Sequence, residues 1–280
     1  MDNGYSLDLL PVHRALVERA VNYFRDDDRV LGMILGGSLA HGPADFYSDV
    51  DLYIVARDES FEAVFDERDV AARAIGSPLF RFAVDPIPGG SRDYIVTYPG
   101  PKKLDLMYYR ESEIRSDPKW EKQLVLKDAA GSLAAVVSRS TRAHLDRPEP
   151  GELLELDQKF WTWCWYVFGK IMRGELWEAL DGLHTIRSEA LLPMLDWTAG
   201  RPHEGYRRLE RKIDPNAAAR LAFTVASLEG EALYGALQAT IALFYDLREI
   251  VFDRYGLTFD PAPEEVIRGE MGRHWAARRA

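Results

Sequence analysis

A single cysteine, Cys164, in 280 residues leaves this chain no internal disulfide framework and no thiolate zinc cluster. It falls in the aromatic run FWTWCWYVF, a setting that predicts a buried, inert thiol. No apolar run reaches the length of a bilayer span, and the opening residues, with Asp2 and Asp8, hold no basic segment leading into an apolar one. A cytoplasmic protein without a membrane partner is expected. Basic charge is scarce as well: 35 Lys and Arg against 45 Asp and Glu give a formal charge of -10, which argues against a nucleic-acid partner. Fixed-period repeats and low-complexity tracts are missing too.

With 47% hydrophobic and 29% charged residues the composition is that of a globular protein, and its length suits two domains. Leu9, Val12, Leu16, Ala20, Val21 and Phe24 recur at helical spacing. The segment VLGMILGGS then reads as a buried strand running into a glycine turn, with DVDLYIVA as its hairpin-like neighbour. Ser60 to Ile75 reads as one amphipathic helix with Phe61, Val64, Phe65, Val70 and Ala74 turned inward. RDYIVTYPGPKKLDLMYYR reads as two strands around Pro99-Gly100-Pro101. Proline, glycine and charge gather in RSTRAHLDRPEPGELL, from Arg139 to Leu154, and mark the boundary between domains 1–145 and 146–280.

Beyond that boundary the pattern is helical. Segments 160–173, 175–198, 206–213, 217–228 and 232–255 carry apolar residues three and four apart, which predicts an antiparallel bundle. The aromatics Trp161, Trp163, Trp165 and Tyr166 are expected to fill its core. Arg268, Arg273, Arg278 and Arg279 are expected on a frayed, solvated terminal helix. The fold class is therefore α+β, a mixed sheet flanked by helices followed by a helical bundle.

The chemistry concentrates in LGGSLAHGPADFYSDVDLYIV, residues 35–55. Asp49 and Asp51 stand two apart at the start of a strand and so share a face. Like charges there repel, and a hard divalent cation such as Mg²⁺ removes the repulsion. The glycines Gly36 and Gly37 allow close backbone approach to phosphate oxygens, and Ser38 adds a hydroxyl donor. Asp105, in KKLDLMYY, lies on the opposite strand face from Leu104 and Leu106 and supplies a third carboxylate. In the intervening turn His41 reads as a solvated loop histidine, Gly42 serves backbone geometry, and Ser48 caps or orients the acidic pair.

A hydrophobic residue, Gly36-Gly37-Ser38, ten residues, then Asp49-x-Asp51 resembles the signature of the DNA polymerase β-like nucleotidyltransferase superfamily. Asp105 matches the family's later carboxylate. The helical half, with FWTWCWYVFGKIMRGELWEALDGLHTIRSEALLPML, is similar to that of bacterial lincosamide and aminoglycoside nucleotidyltransferases. The resemblance implies a catalytic domain followed by a substrate-binding one, and two Mg²⁺ ions held by Asp49, Asp51 and Asp105. It further implies ATP or another nucleoside triphosphate at Gly36, Gly37, Ser38 and Ser48. The expected reaction moves a nucleoside monophosphate to a hydroxyl of a small molecule, an antibiotic included, with loss of pyrophosphate.

Lys170 and Arg173 are candidates to reach the triphosphate from the helical wall, and Glu189 to contact or deprotonate the acceptor. Their structural alternatives are a decorated helix end and an ion pair with Arg187. Two other functions stay open at this point: nucleotidylation of a protein or toxin partner, and nucleotide binding without turnover. A monomer and a homodimer are equally compatible with the pattern.

Overall fold

The computed structural model describes residues 10–42, 44–84, 90–100, 102–140, 148–201 and 203–279. The chain divides into two compact units, Met1–Ala143 and His144–Ala280. The boundary expected between residues 145 and 146 lies outside the described residues.

Period-two alternation builds the first unit. Among its described residues, β1 (Val30–Leu35), β2 (Val50–Ala56), β3 (Phe80–Ala83), β4 (Arg92–Tyr98), β5 (Lys102–Arg110) and β6 (Leu124–Asp128) form one sheet in the order β3-β4-β5-β2-β1-β6. The expected neighbours β1 and β2, and β4 and β5, pair antiparallel, whereas β2 and β5 pair parallel. Parallel neighbours need a long connection. Here it contains α3 (Phe61–Asp66), α4 (Arg68–Ile75), β3 and β4.

Successive strand side chains face opposite ways, so each strand feeds two layers. Leu52, Ile54, Leu104, Leu106 and Tyr108 enter one core with Leu16, Ala20 and Phe24 of α1 (Pro11–Phe24) and with Phe61, Val64, Ala72 and Ile75. Ile34, Val55 and Tyr109 enter a second core with Trp120 and with Leu133 and Val136 of α5 (Ser132–Arg139). Each fully buried side chain of this size contributes about 1.5–3 kcal/mol. Because Asp51 and Asp105 alternate with the first set, they stand on the second face.

The helix expected over residues 60–75 is broken at Glu67, which joins α3 to α4. The break resets the helical phase: Val70 is exposed and Ala71, Ala72 and Ile75 turn inward. In α1, Val12 is likewise exposed and His13 is buried in the place a simple apolar stripe would give it.

Period-3.6 patterning builds the second unit. Its described helices are α6 (Pro150–Met172), α7 (Leu176–Ile186), α8 (Leu192–Ala199), α9 (Leu209–Lys212), α10 (Pro215–Ala222), α11 (Gly230–Tyr255) and α12 (Ala262–Arg279). Phe160, Cys164 and Phe168 of α6, four apart, pack with Leu183 and Ile186 of α7 and with Leu237, Phe244 and Val251 of α11. Phe160 and Phe244 stack with centroids 3.6 Å apart. Cys164 is fully buried, and burial pushes its thiol pKa up, as expected of an inert sulfur.

The helix expected over 175–198 contains a π turn, Arg187–Leu191, between α7 and α8. Pro193 has no N–H to donate to the Glu189 carbonyl four residues earlier, and the ladder widens there. Two other expectations are corrected. Trp161 is core, but Trp165 and Tyr166 are exposed. The terminal helix α12 is not merely solvated: Met271 and Trp275, four residues apart, are buried in the bundle core.

Candidate active site

The β1 to β2 connection brings the glycines against the acids. The Gly36 N–H donates to the Asp51 carbonyl at 2.8 Å. The chain then enters α2 (Gly37–His41), a short helical turn where the sequence suggested a simple glycine turn. Gly37 has φ +61°, and a Cβ at this position would lie 1.9 Å from Asp51 Oδ2. At Gly36 a Cβ would lie 2.5 Å from the Tyr53 ring. Both positions thus exclude a side chain through close approach. Ser38 is buried beside them and its carbonyl accepts from the Gly42 N–H.

Parallel pairing sets Asp51 directly beside Asp105. Asp49, one residue before β2, joins them, and one carboxylate oxygen from each of the three lies within 4.8 Å of the others. Adjacent like charges on one sheet face destabilise it unless a cation intervenes. Lys103, two residues from Asp105 and on its face, places Nζ 2.7 Å from Asp105 Oδ2 and 3.0 Å from Asp49 Oδ2. Burial pushes the Asp105 carboxyl above the usual carboxylate range, and Asp49 and Asp93 add to this while Lys103 opposes it. On Lys103 burial acts downward, but the two carboxylates outweigh it and the ammonium pKa is raised.

The donor set suits a hard divalent cation: three carboxylates converge, and Asp105 Oδ1 is buried without a hydrogen-bond partner. Asp49, Asp51 and Asp105 are the residues that would hold it.

The loop ahead of Asp49 is pinned from below. His13, buried in α1, donates from Nε2 to the Ser48 carbonyl at 2.8 Å. The Ser48 hydroxyl accepts from the Asp45 N–H at 2.9 Å and turns to the Asp45 carboxylate. Ser48 therefore shapes the turn that leads into Asp49. Lys102 is buried, donates to the Phe46 carbonyl and lies 3.5 Å from the centroid of the Phe46 ring. Phe46 and Tyr47 themselves stand exposed beside the acids in sequence. The His41 side chain lies outside the described residues.

In the helical unit the expected basic pair is held locally. Lys170 Nζ lies 2.7 Å from both Glu175 and Glu178, and Arg173 Nε donates to Glu175 at 2.6 Å. Lys170 first and Arg173 second draw the Glu175 carboxyl down to about 2. Glu189 is exposed in the π turn. Arg187 does not serve as its counter-ion: that guanidinium is buried and donates to the Thr224 hydroxyl at 2.8 Å and carbonyl at 2.6 Å.

Sequence reasoning missed Lys103, His13 and Lys102. For Lys103 the signal was present, since a residue two before a strand carboxylate shares its face. For His13 and Lys102 none existed, because their partners lie 35 and 56 residues away.

Among solved structures the chain is similar to an aminoglycoside 6-adenyltransferase from Bacillus subtilis, at 16% identity over 94% of this chain and 98% of that one, with a TM-score of 0.46. It is also similar to a nucleotidyltransferase-like protein from Exiguobacterium sibiricum 255-15, at 14% identity over 86% of this chain and 79% of that one, with a TM-score of 0.35. No curated protein matches the chain in sequence. The family model described as streptomycin adenylyltransferase matches residues 12–269, from the first helix of the sheet unit into the last helix of the bundle. This chain belongs to the streptomycin adenylyltransferase family and is an adenylyltransferase.

Proposed function

We propose that the chain transfers the adenylyl group of ATP to a hydroxyl of a cationic, hydroxyl-rich antibiotic, streptomycin or a related aminoglycoside, with release of pyrophosphate. The observation that carries this reading is the convergence of Asp49, Asp51 and Asp105 beside the Gly36-Gly37-Ser38 turn. Residues 1–145 act as the catalytic domain and 146–280 as the acceptor-binding domain. Mg²⁺ bound at the three carboxylates would neutralise phosphate charge as the leaving group departs.

The residues of the chain have separable duties. Gly36 and Gly37 keep the turn free of side chains so that a triphosphate can approach the backbone, and Ser38 lies in the same turn as a hydroxyl donor. Asp105, whose carboxyl burial raises above the usual carboxylate range, takes the proton of the acceptor hydroxyl. The hydroxyl oxygen bonds to the α-phosphorus, the bond to the bridging oxygen of pyrophosphate breaks, and the proton passes to the carboxylate. The acidic balance of the chain, -10 overall, favours a polycationic acceptor, and the exposed Glu189 in its π turn is the side chain assigned to it. Lys170 and Arg173 would exchange Glu175 for phosphate oxygens on nucleotide binding.

Incubation with ATP and Mg²⁺ against a panel of aminoglycosides and lincosamides, followed by mass spectrometry, tests the proposal. An acceptor heavier by one adenylyl group, formed only without chelator, is the expected result. Label on a protein alone would favour protein nucleotidylation, and bound ATP with no product would favour a binding protein.

A further inference from the structure

Lys103 stands at the meeting point of the carboxylates. Its ammonium bridges Asp49, just ahead of β2, and Asp105 on β5, 3.0 and 2.7 Å away. Those are two of the three carboxylates that a divalent cation would use. The side chain is 44% exposed, whereas that of Asp105 is 15% exposed, so the base is the mobile partner and the acid the fixed one. A lysine on a flexible four-carbon stem gives up such a position more readily than a forked guanidinium would.

We propose that Lys103 is a displaceable internal cation. It holds Asp49 and Asp105 converged until a divalent metal arrives, and it competes with that metal for their oxygens. The ammonium then swings out to the exposed side of the sheet with its three donors free. This inference rests on the reading of Asp49, Asp51 and Asp105 as a metal site, and its prediction differs from that of a purely nucleotide-binding lysine. Removing a competitor tightens metal binding, while removing a phosphate ligand leaves nucleotide-free metal binding as it was.

The test is titration of the nucleotide-free full chain with Mn²⁺, free ion being followed by electron paramagnetic resonance. Lys103→Met should bind Mn²⁺ about 5-fold more tightly than the parent, the strength of two half-exposed ion pairs. Lys103→Gln should behave the same way, which guards against a fold defect in one variant, and Lys103→Arg should bind Mn²⁺ no more tightly than the parent. Affinity in Lys103→Met and Lys103→Gln equal to or weaker than the parent, with normal melting, overturns the proposal. Asp49→Asn that binds Mn²⁺ as the parent does would overturn the metal-site reading itself, a separate failure.

Discussion

Two carboxylate clusters in this molecule are built from similar parts and end up different. In the sheet, Asp49 and Asp105, converging with Asp51, flank Lys103; in the bundle, Asp157 and Glu264 flank Arg248, whose Nη1 lies 2.9 and 2.7 Å from them. Burial raises the carboxyl pKa of both Asp105 and Asp157, against the opposing pull of the base. What differs is the base. Arg248 is 1% exposed, rests 3.7 Å from the centroid of the Phe259 ring, and shares Glu264 with the Tyr245 hydroxyl. Lys103 is 44% exposed, and the two acids it pairs with converge with a third, Asp51. A buried, stacked guanidinium closes its cluster into a clamp that ties α12 to α6 and α11, whereas a half-exposed ammonium leaves charge for an outside cation to meet.

If that contrast holds, the two clusters fail in different ways. Asp51→Asn should lower the rate of adenylyl transfer about 1,000-fold or more, judged by pyrophosphate release, with stability changed by less than about 0.5 kcal/mol. Arg248→Met should do the reverse. It leaves buried Glu264 and half-buried Asp157 without their base and should cost about 3–5 kcal/mol in urea unfolding followed by helical signal, with activity per folded molecule kept.

A smaller change probes the turn that faces the sheet cluster. Gly37→Ala places a methyl against the Asp51 carboxylate at a positive φ. About 10- to 100-fold loss in kcat/KM is expected for about 1 kcal/mol of stability, measured by steady-state rates and melting. A loss in stability alone would mean that the acids need no fixed position.

Asp69 gives the smallest effect and the surface reference for both clusters. It pairs first with Arg73 and then with Arg81, and accepts from the Tyr94 hydroxyl, so its carboxyl is drawn down to about 2. Because the folded value lies below the unfolded one, its stabilisation is complete above the ordinary value of 3.8 and is lost as pH falls toward about 2. Acid titration of Asp69→Asn should be flatter than that of the parent in that window alone.

The parts that could be read from the sequence are those fixed by local period. Leu104 and Leu106 alternate with Asp105, and the alternation placed the carboxylate on the correct face. The gap from Ser38 to Asp49 and the Asp-x-Asp spacing were sufficient to find the cluster. The parallel neighbourhood of Asp51 and Asp105 was not readable, since register between distant strands is a tertiary property. β6, Leu124–Asp128, is half-buried throughout and shows no alternation to detect. The inward phase of α4 escaped because Glu67 resets it, and the burial of α12 could have been read from the spacing of Met271 and Trp275. Among the described residues no helix is long and apolar enough to cross a membrane.

The most direct measurement is transfer of label from α-phosphate-labelled ATP to streptomycin with Mg²⁺, run in parallel on the parent chain, Asp51→Asn and Arg248→Met below its melting temperature. The account predicts labelled antibiotic with the parent and Arg248→Met and none above background with Asp51→Asn. Undiminished labelling by a folded Asp51→Asn would contradict it.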